Sequence, residues 1–246
     1  MTIRSEAELA GLRRAGAVVA GVLRSLERAV EPGVTTGELD ALCARELARR
    51  DAEPTPAREL SFPGSICISV NDEAVHGVPG ARRVERGDLV KLDLVATKDG
   101  FVADAAVTVC VPPIAAEARG LVRAARSALD VAIANASAGL PLRALGRAIE
   151  RTVRRAGFRV IRELGGHGVG RAVHEEPHVP NWDDPLAAGR LHEGLVLAVE
   201  PVVTSGAGAL FEERDGWTLR TRDRAPVAHC EHTLVVTRGR PIVVTA

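Results

Sequence analysis

The spacing of apolar residues predicts four helices in two pairs. From residue 6 to about residue 30, apolar side chains recur at intervals of three and four, and Pro32-Gly33 ends the run. This interval is the period of one face of an α-helix. The same pattern predicts helices from 36 to about 50, from 118 to about 134 and from 143 to about 156.

Apolar and β-branched runs between and after the helices predict strands. These runs are residues 66–70, 89–97, 101–111, 158–161, 195–203, 233–236 and 242–244. The mixture predicts an α+β fold. No low-complexity segment or linker divides the chain, so we expect a single continuous domain over residues 1–246.

Two stretches of the chain resemble each other. PGVTTGELDALCARELARRDA and AGLPLRALGRAIERTVRRAGF align without a gap at an offset of 106 residues, so that Gly33 matches Gly139. Because helix, glycine turn and helix recur in the same order, we predict two pseudo-symmetric α-β halves, about 1–112 and 113–246. Two unrelated helical hairpins are the alternative.

Composition and charge narrow the function classes. The 246 residues include 32 basic and 32 acidic side chains, so no net charge attracts nucleic acid or an acidic membrane. No run approaches the roughly 20 apolar residues of a membrane span, and the charged start is unlike a signal peptide. The four cysteines have no disulfide or zinc spacing. We therefore expect a soluble, cytoplasmic protein.

Four carboxylates stand in stretches that otherwise have the character of buried strands. Asp93 and Asp104 lie in VKLDLVATKDGFVADAAVTV, Glu200 in LVLAVEPVV and Glu231 in HCEHTLVVT. Acids buried together repel one another and are costly to desolvate unless a cation holds them. Four carboxylates carry too much charge for one divalent ion, so the pattern favours two metal ions.

A hairpin brings two of these acids together. If Asp99-Gly100 forms a two-residue turn, Asp104 lies opposite Val95 and diagonal to Asp93. The two β-carbons are then on one face and within about 7 Å of each other. A three-residue loop would place them on opposite faces.

The stretch GGHGVGRAVHEE adds two histidines, His167 and His174, among glycines at 166, 168 and 170. Glycine lets the backbone take positive φ or approach another group closely, so we expect something to lie against this segment. One of the histidines completes a ligand set dominated by oxygen. Such a set favours Mn²⁺ or Fe²⁺, with Co²⁺ or Zn²⁺ as alternatives.

Five blocks of sequence together resemble one family. NDEAVHGVP, KLDLVATKDGFVAD, GGHGVGRAVHEEP, LAVEP and HCEHTLVVT occur in an order and spacing similar to those of type I methionine aminopeptidases, of the M24 metallopeptidase family. The resemblance implies a pita-bread fold, with two pseudo-symmetric α-β halves around a central curved antiparallel sheet. It also implies removal of the initiator methionine from nascent polypeptides with a small second residue, by a hydroxide that two metal ions activate.

The resemblance further implies a role for each metal-binding residue. Asp93 would bind one ion, His167 and Glu200 would bind the other, and Asp104 and Glu231 would bridge the two.

Other residues would act on the substrate. His76, His174 and Glu200 would be catalytic, and Glu200 would shuttle a proton from the nucleophile to the leaving amine. The implied substrate-binding residues are Phe62, Cys67, His76, His174 and Trp217.

Three positions depart from the family pattern. Val173 stands where a phenylalanine is common, Val95 where a threonine is common and His229 where a glutamine is common. The loss of aromatic surface at Val173 would widen the pocket or weaken methionine binding, by about 1 to 3 kcal/mol.

Two alternatives to the leading function stay open. One is an aminopeptidase of the same fold that prefers another first residue or a proline in second position, although such proline-specific relatives usually carry an additional N-terminal domain. The other is a non-catalytic scaffold that holds nascent chains, which would be expected to have lost ligands. The expected partners are the N-termini of nascent polypeptides and the ribosome, with no nucleic acid or membrane partner, for a monomeric protein.

Overall fold

The structure, a computed structural model, describes residues 1–246 and contains five helices. They are α1 (Glu6–Ala29), α2 (Thr36–Ala48), α3 (Thr55–Glu59), α4 (Ala116–Asn135) and α5 (Arg143–Arg155). Helix α1 begins after Ser5, whose hydroxyl accepts the N–H of Glu8, and its buried face includes Leu12 and Leu26. All four predicted helices are confirmed, with ends within two residues of those expected.

Fifteen strands form four sheets in which every strand pair is antiparallel. They are β1 (Glu53–Pro54), β2 (Cys67–Val70), β3 (Glu73–Val75), β4 (Leu89–Lys98), β5 (Phe101–Cys110), β6 (Arg159–Val160), β7 (Gly165–Gly168), β8 (Glu175–Pro180), β9 (Val196–Val199), β10 (Val202–Thr204), β11 (Leu210–Glu212), β12 (Leu219–Thr221), β13 (Val227–His229), β14 (His232–Val235) and β15 (Ile242–Val243). The largest sheet has the order β15-β14-β9-β7-β8.

Two large hydrophobic clusters fill the interior. One, of 31 buried residues, joins α1 and α2 to β4 and β5, and the other, of 23, joins α4 and α5 to β9 and β14. Gly33 and Gly139, which the repeat matches, take φ angles of +100° and +91° ahead of α2 and α5. Each helical pair therefore has its own core, while the division into pseudo-symmetric halves stays a prediction.

The β4–β5 hairpin has the predicted register. Lys98 pairs with Phe101 across the Asp99-Gly100 turn, and Val95 pairs with Asp104. Both turn residues have positive φ, 51° and 74°, which is the requirement of a type I′ turn. Asp93 and Asp104 therefore lie on one face of the hairpin, as expected.

Two acids that we expected within strands stand at strand breaks instead. The predicted strand 195–203 is divided into β9 and β10 at Glu200-Pro201, because proline has no N–H to donate to a ladder. Glu231 lies between β13 and β14. Strands β7 and β8 were not predicted, since their short, glycine- and proline-containing sequences have low strand propensity.

None of the helices has the length and apolar character needed to cross a membrane.

Candidate metal centre

The acids converge where the β4–β5 hairpin meets the strands that follow α5. Ala106 and Glu231 exchange backbone hydrogen bonds of 2.9 and 3.4 Å. The Thr233 hydroxyl accepts the N–H of Asp104 at 2.9 Å and donates to the Asp104 carbonyl at 2.7 Å. These contacts fix Asp104 and Glu231, which are only 4% and 2% exposed, beside each other.

Glu200 and His167 reach the same place from the largest sheet. The buried Asn181 side chain donates to the carbonyl of Glu200 at 2.8 Å, which fixes the break after β9. His167 on β7 pairs with Ala198 on β9. Its Nε2 atom lies 3.3 Å from Glu200 Oε1 and 3.8 Å from Asp104 Oδ2.

The structure brings all five predicted ligands to one cavity of about 100 Å³, which Asp93, Asp104, His167, Glu200 and Glu231 all line. Asp104, His167 and Glu231 each offer one ligand atom, and these atoms lie within 4.8 Å of one another. The register of β2 with β4 places Asp93 opposite Cys67, and both residues line this cavity.

The carboxylates have no cationic side chain to neutralise them, and their pKa values show the consequence. Burial raises the pKa of Asp93 to about 7. Burial, and then the neighbouring carboxylates, raise the pKa of Asp104, Glu200 and Glu231 well above their usual range. Asp104 Oδ1 and Glu231 Oε1 are buried without any hydrogen-bond partner. Buried oxygens of this kind fit hard divalent cations, which would relieve the repulsion.

His167 has the protonation state of a metal ligand. Its Nδ1 atom is 2.9 Å from the carbonyl oxygen of Gly168, and because a carbonyl only accepts, Nδ1 carries the proton. The lone pair of Nε2 therefore faces the carboxylates. Burial is the main reason that the pKa of His167 falls to about 4, so the ring stays neutral.

The glycines around His167 make room for neighbouring strands. A Cβ on Gly166 would lie 2.2 Å from the carbonyl oxygen of Ala198, and one on Gly168 would lie 2.2 Å from that of Glu176. The group that we expected against this backbone is therefore the backbone of β9 and β8. This close approach positions His167 between the two strands.

His76 and His174 border the cavity on its open side. The His174 ring meets the His167 ring edge-on, with centroids 4.5 Å apart. His76 has φ of +58°, a conformation that few non-glycine residues adopt, and it follows directly on β3. Burial, and then the charge of His174, lower the pKa of His76.

Apolar side chains line the rest of the same cavity and form an apolar pocket beside the acids. Phe62 and Trp217 form an edge-to-face pair with centroids 5.2 Å apart, and Cys67 lines the same pocket. Sequence reasoning missed two further lining residues, Pro56 and Leu60, since a single sequence carries no signal that brings them here. Val95 and Val173, two of the departures from the family pattern, also line it.

His229, the third departure from the family pattern, also reaches the site, although no role there was predicted for it. Its ring Nε2 lies 3.8 Å from Glu200 Oε2 and 3.7 Å from Glu231 Oε2. The residue is 2% exposed, and this nitrogen has no hydrogen-bond partner. The signal in the sequence was a histidine two residues before a buried acid.

Comparisons with known proteins define the class. The family model of Metallopeptidase family M24 matches residues 10–238. The chain belongs to this family of metallopeptidases and is therefore a hydrolase.

Individual relatives resemble the chain over its full length. It is 38% identical to the methionine aminopeptidase of Aquifex aeolicus (strain VF5), covering 98% of this chain and 97% of that protein. It is 37% identical to methionine aminopeptidase 2 of Bacillus subtilis (strain 168), covering 100% and 99%.

Solved structures share the architecture. The methionine aminopeptidase of Thermotoga maritima superposes with a TM-score of 0.96 at 34% identity, covering 100% of this chain and 99% of that chain. The prolidase of Pyrococcus furiosus superposes with a TM-score of 0.81 at 21% identity, covering 100% and 65%, and shows the fold alone. The predicted pita-bread fold is confirmed.

Proposed function

We propose that this chain is a metal-dependent aminopeptidase that removes the initiator methionine from nascent polypeptides whose second residue is small. The observation that carries the proposal is the convergence of four carboxylates and His167 on one cavity that continues into an apolar pocket. The names of the full-length relatives, which are methionine aminopeptidases, support the same substrate.

The ligand roles follow from the chemistry of the donor set. Asp93 would bind one ion, His167 and Glu200 the other, and Asp104 and Glu231 would bridge them. Mn²⁺ or Fe²⁺ suits such oxygen-rich ligation, with Co²⁺ or Zn²⁺ as alternatives. When bound, the ions would supply Lewis acidity and lower the pKa of water towards neutrality.

Three side chains would act on the peptide. Glu200 would accept the proton of the attacking water and deliver it to the leaving amine. His174 would donate a hydrogen bond to the oxygen of the scissile carbonyl, where negative charge develops. His76, on the open side of the cavity, would orient the peptide.

The apolar pocket would hold the first side chain of the substrate. The edges and faces of Phe62 and Trp217 suit a polarisable thioether, and Cys67 provides a small apolar wall. The resemblance to the family supports a cytoplasmic monomer that meets its substrates as they leave the ribosome.

Peptide hydrolysis tests the proposal. Protein stripped with chelator and reloaded with Mn²⁺, Fe²⁺ or Co²⁺ is expected to release methionine from Met-Ala-Ser but no leucine from Leu-Ala-Ser, and to leave Met-Pro-Ser largely intact. Asp104→Ala should abolish release, whereas Asp99→Ala, in the exposed turn of the same hairpin, should not. Release of leucine instead would reassign the pocket around Val173. Absence of release with every metal would overturn the proposal.

A further inference from the structure

We infer that His229 is a further nitrogen ligand of the metal centre, placed across Glu200 from His167. The inference rests on the proposed binding of divalent ions by the carboxylates, and it adds a ligand that none of the five family blocks assigns. Three observations carry it: the distances to the two glutamates, the absence of any other partner, and the fixed backbone of the residue.

The distances suit a shared ion and exclude a hydrogen bond. Nε2 of His229 is 3.8 Å from Glu200 Oε2 and 3.7 Å from Glu231 Oε2, beyond the roughly 3.2 Å of an N–H···O hydrogen bond. Imidazole nitrogens and carboxylate oxygens bind such ions at about 2.1 Å, so two ligands of one ion lie about 3.7 Å apart when they subtend about 125°. His229 would therefore bind the ion that Glu200 and Glu231 both hold, which in the proposed roles is also the ion of His167.

The expected ligand His167 has the same relation to its carboxylates. Its Nε2 is 3.3 Å from Glu200 Oε1 and 3.8 Å from Asp104 Oδ2. The two imidazoles thus face different oxygens of the one Glu200 carboxylate. His229 thus lies at distances from its two glutamates similar to those of His167 from its two carboxylates.

No other group satisfies the His229 nitrogen. Nε2 is buried and without a hydrogen-bond partner. The nearby Lys91 ammonium is committed elsewhere, since it donates to the carbonyls of Asn71 at 2.8 Å and Val227 at 3.2 Å. A buried polar atom without a partner is costly, and a bound cation removes that cost.

The strand holds the backbone of His229 in place. The Thr108 hydroxyl accepts the N–H of His229 at 2.9 Å and donates to its carbonyl at 2.7 Å, and His229 pairs with Val202 across β13 and β10. The backbone is therefore fixed on both sides, and the side chain is directed at the acids. Ligands held in this way need little reorganisation when an ion binds.

A second imidazole changes the metal preference. Imidazole suits zinc and iron, whereas carboxylate suits manganese and magnesium. We expect the wild-type protein to favour Zn²⁺ over Mn²⁺ more strongly than a variant that lacks this ring.

X-ray absorption at the zinc edge tests the inference, because imidazole rings give a countable outer-shell scattering signal. Full-length protein with one equivalent of Zn²⁺ should show two imidazoles per ion. His229→Gln, which keeps a polar side chain, should show one, and its Zn²⁺ affinity should fall by about 10- to 100-fold or more, with a smaller loss for Mn²⁺. His232→Gln is the matched control, because that ring instead bonds the Thr245 hydroxyl at 2.9 Å; its count should stay at two.

One imidazole per ion in the wild-type protein would overturn the inference, whatever the folding of the variant. An unchanged count and affinity in His229→Gln would do the same. Failure of methionine release in a protein that binds zinc through two imidazoles would refute the proposed function and leave this ligand standing.

Discussion

Replacement of the Asp93 carboxyl by an amide should stabilise the metal-free protein at alkaline pH. Burial raises the pKa of Asp93 from its usual 3.8 to about 7. In the folded protein the group therefore keeps its proton after the unfolded chain has lost it. Its contribution to stability is complete below pH 3.8 and is lost as the pH rises through about 7.

The size of the effect follows from this shift. At about 1.4 kcal/mol per pKa unit, the contribution that disappears between pH 5.5 and pH 8 is about 2 kcal/mol. Asp93→Asn has no such proton to lose. The free energy of unfolding of the wild-type protein should therefore fall by about 2 kcal/mol relative to Asp93→Asn over that range, with the variant the more stable at pH 8.

Urea unfolding in chelator at both pH values measures this difference. The buried histidines titrate in both proteins, so their contributions cancel. The charge of Asp93 also raises the pKa of Asp104, Glu200 and Glu231, which adds to the fall in the wild-type protein only. Asp99→Asn is the matched control, because that carboxyl is in the turn of the same hairpin but is 46% exposed, and its difference from the wild type should not change with pH. Added Mn²⁺ should reverse the order, since the amide is the poorer ligand.

The reasoning would be refuted if the difference in free energy of unfolding between the wild-type protein and Asp93→Asn were the same at pH 8 as at pH 5.5. The carboxyl would then be hydrated or already paired in the folded chain, and no cation would be needed to hold it. An Asp93→Asn variant that gains as much from Mn²⁺ as the wild type would show that Asp93 does not bind the ion.

Three other substitutions test neighbouring parts of the site. His174→Ala should lower kcat by about 10²- to 10³-fold while calorimetry shows unchanged metal binding; a loss of metal binding would contradict its role beside the substrate. Trp217→Ala removes the partner of Phe62 and should cost about 1 to 3 kcal/mol in kcat/KM for methionine peptides, and an unchanged kcat/KM would place the first side chain elsewhere. Gly168→Ala should lower the Tm, because its Cβ would meet the Glu176 carbonyl at 2.2 Å, whereas Gly80→Ala, with open space around it, should not; equal Tm values would contradict the tight packing of β7.

The parts of the site that sequence could predict are those set by local rules. The two-residue turn at Asp99-Gly100 fixes the register of a hairpin, and the register fixes which face Asp93 and Asp104 share. Periodicity identifies the helices in the same local way. Glu200 and Glu231 could be identified because each is a lone acid in an otherwise apolar stretch.

The remaining parts depend on contacts between distant segments. Nothing in the sequence around His229 shows that Thr108, more than a hundred residues earlier, holds its backbone and directs the ring at the acids. Pro56 and Leu60 likewise reach the pocket through the packing of α3, which no periodic pattern reveals. The break that places Glu200 was predicted as continuous strand because hydrophobicity alone does not mark it, and the segment that carries Glu231 precedes the strand predicted at 233–236.

Metal dependence of methionine release tests the central claim most directly. Metal-free protein would be titrated with Mn²⁺ in the presence of Met-Ala-Ser, with released methionine and bound metal measured in the same samples. We expect no release without metal, release that rises as the sites fill, and loss of both bound metal and release in Asp104→Ala. Equal release by the metal-free protein, or none by the fully loaded protein, would contradict the account.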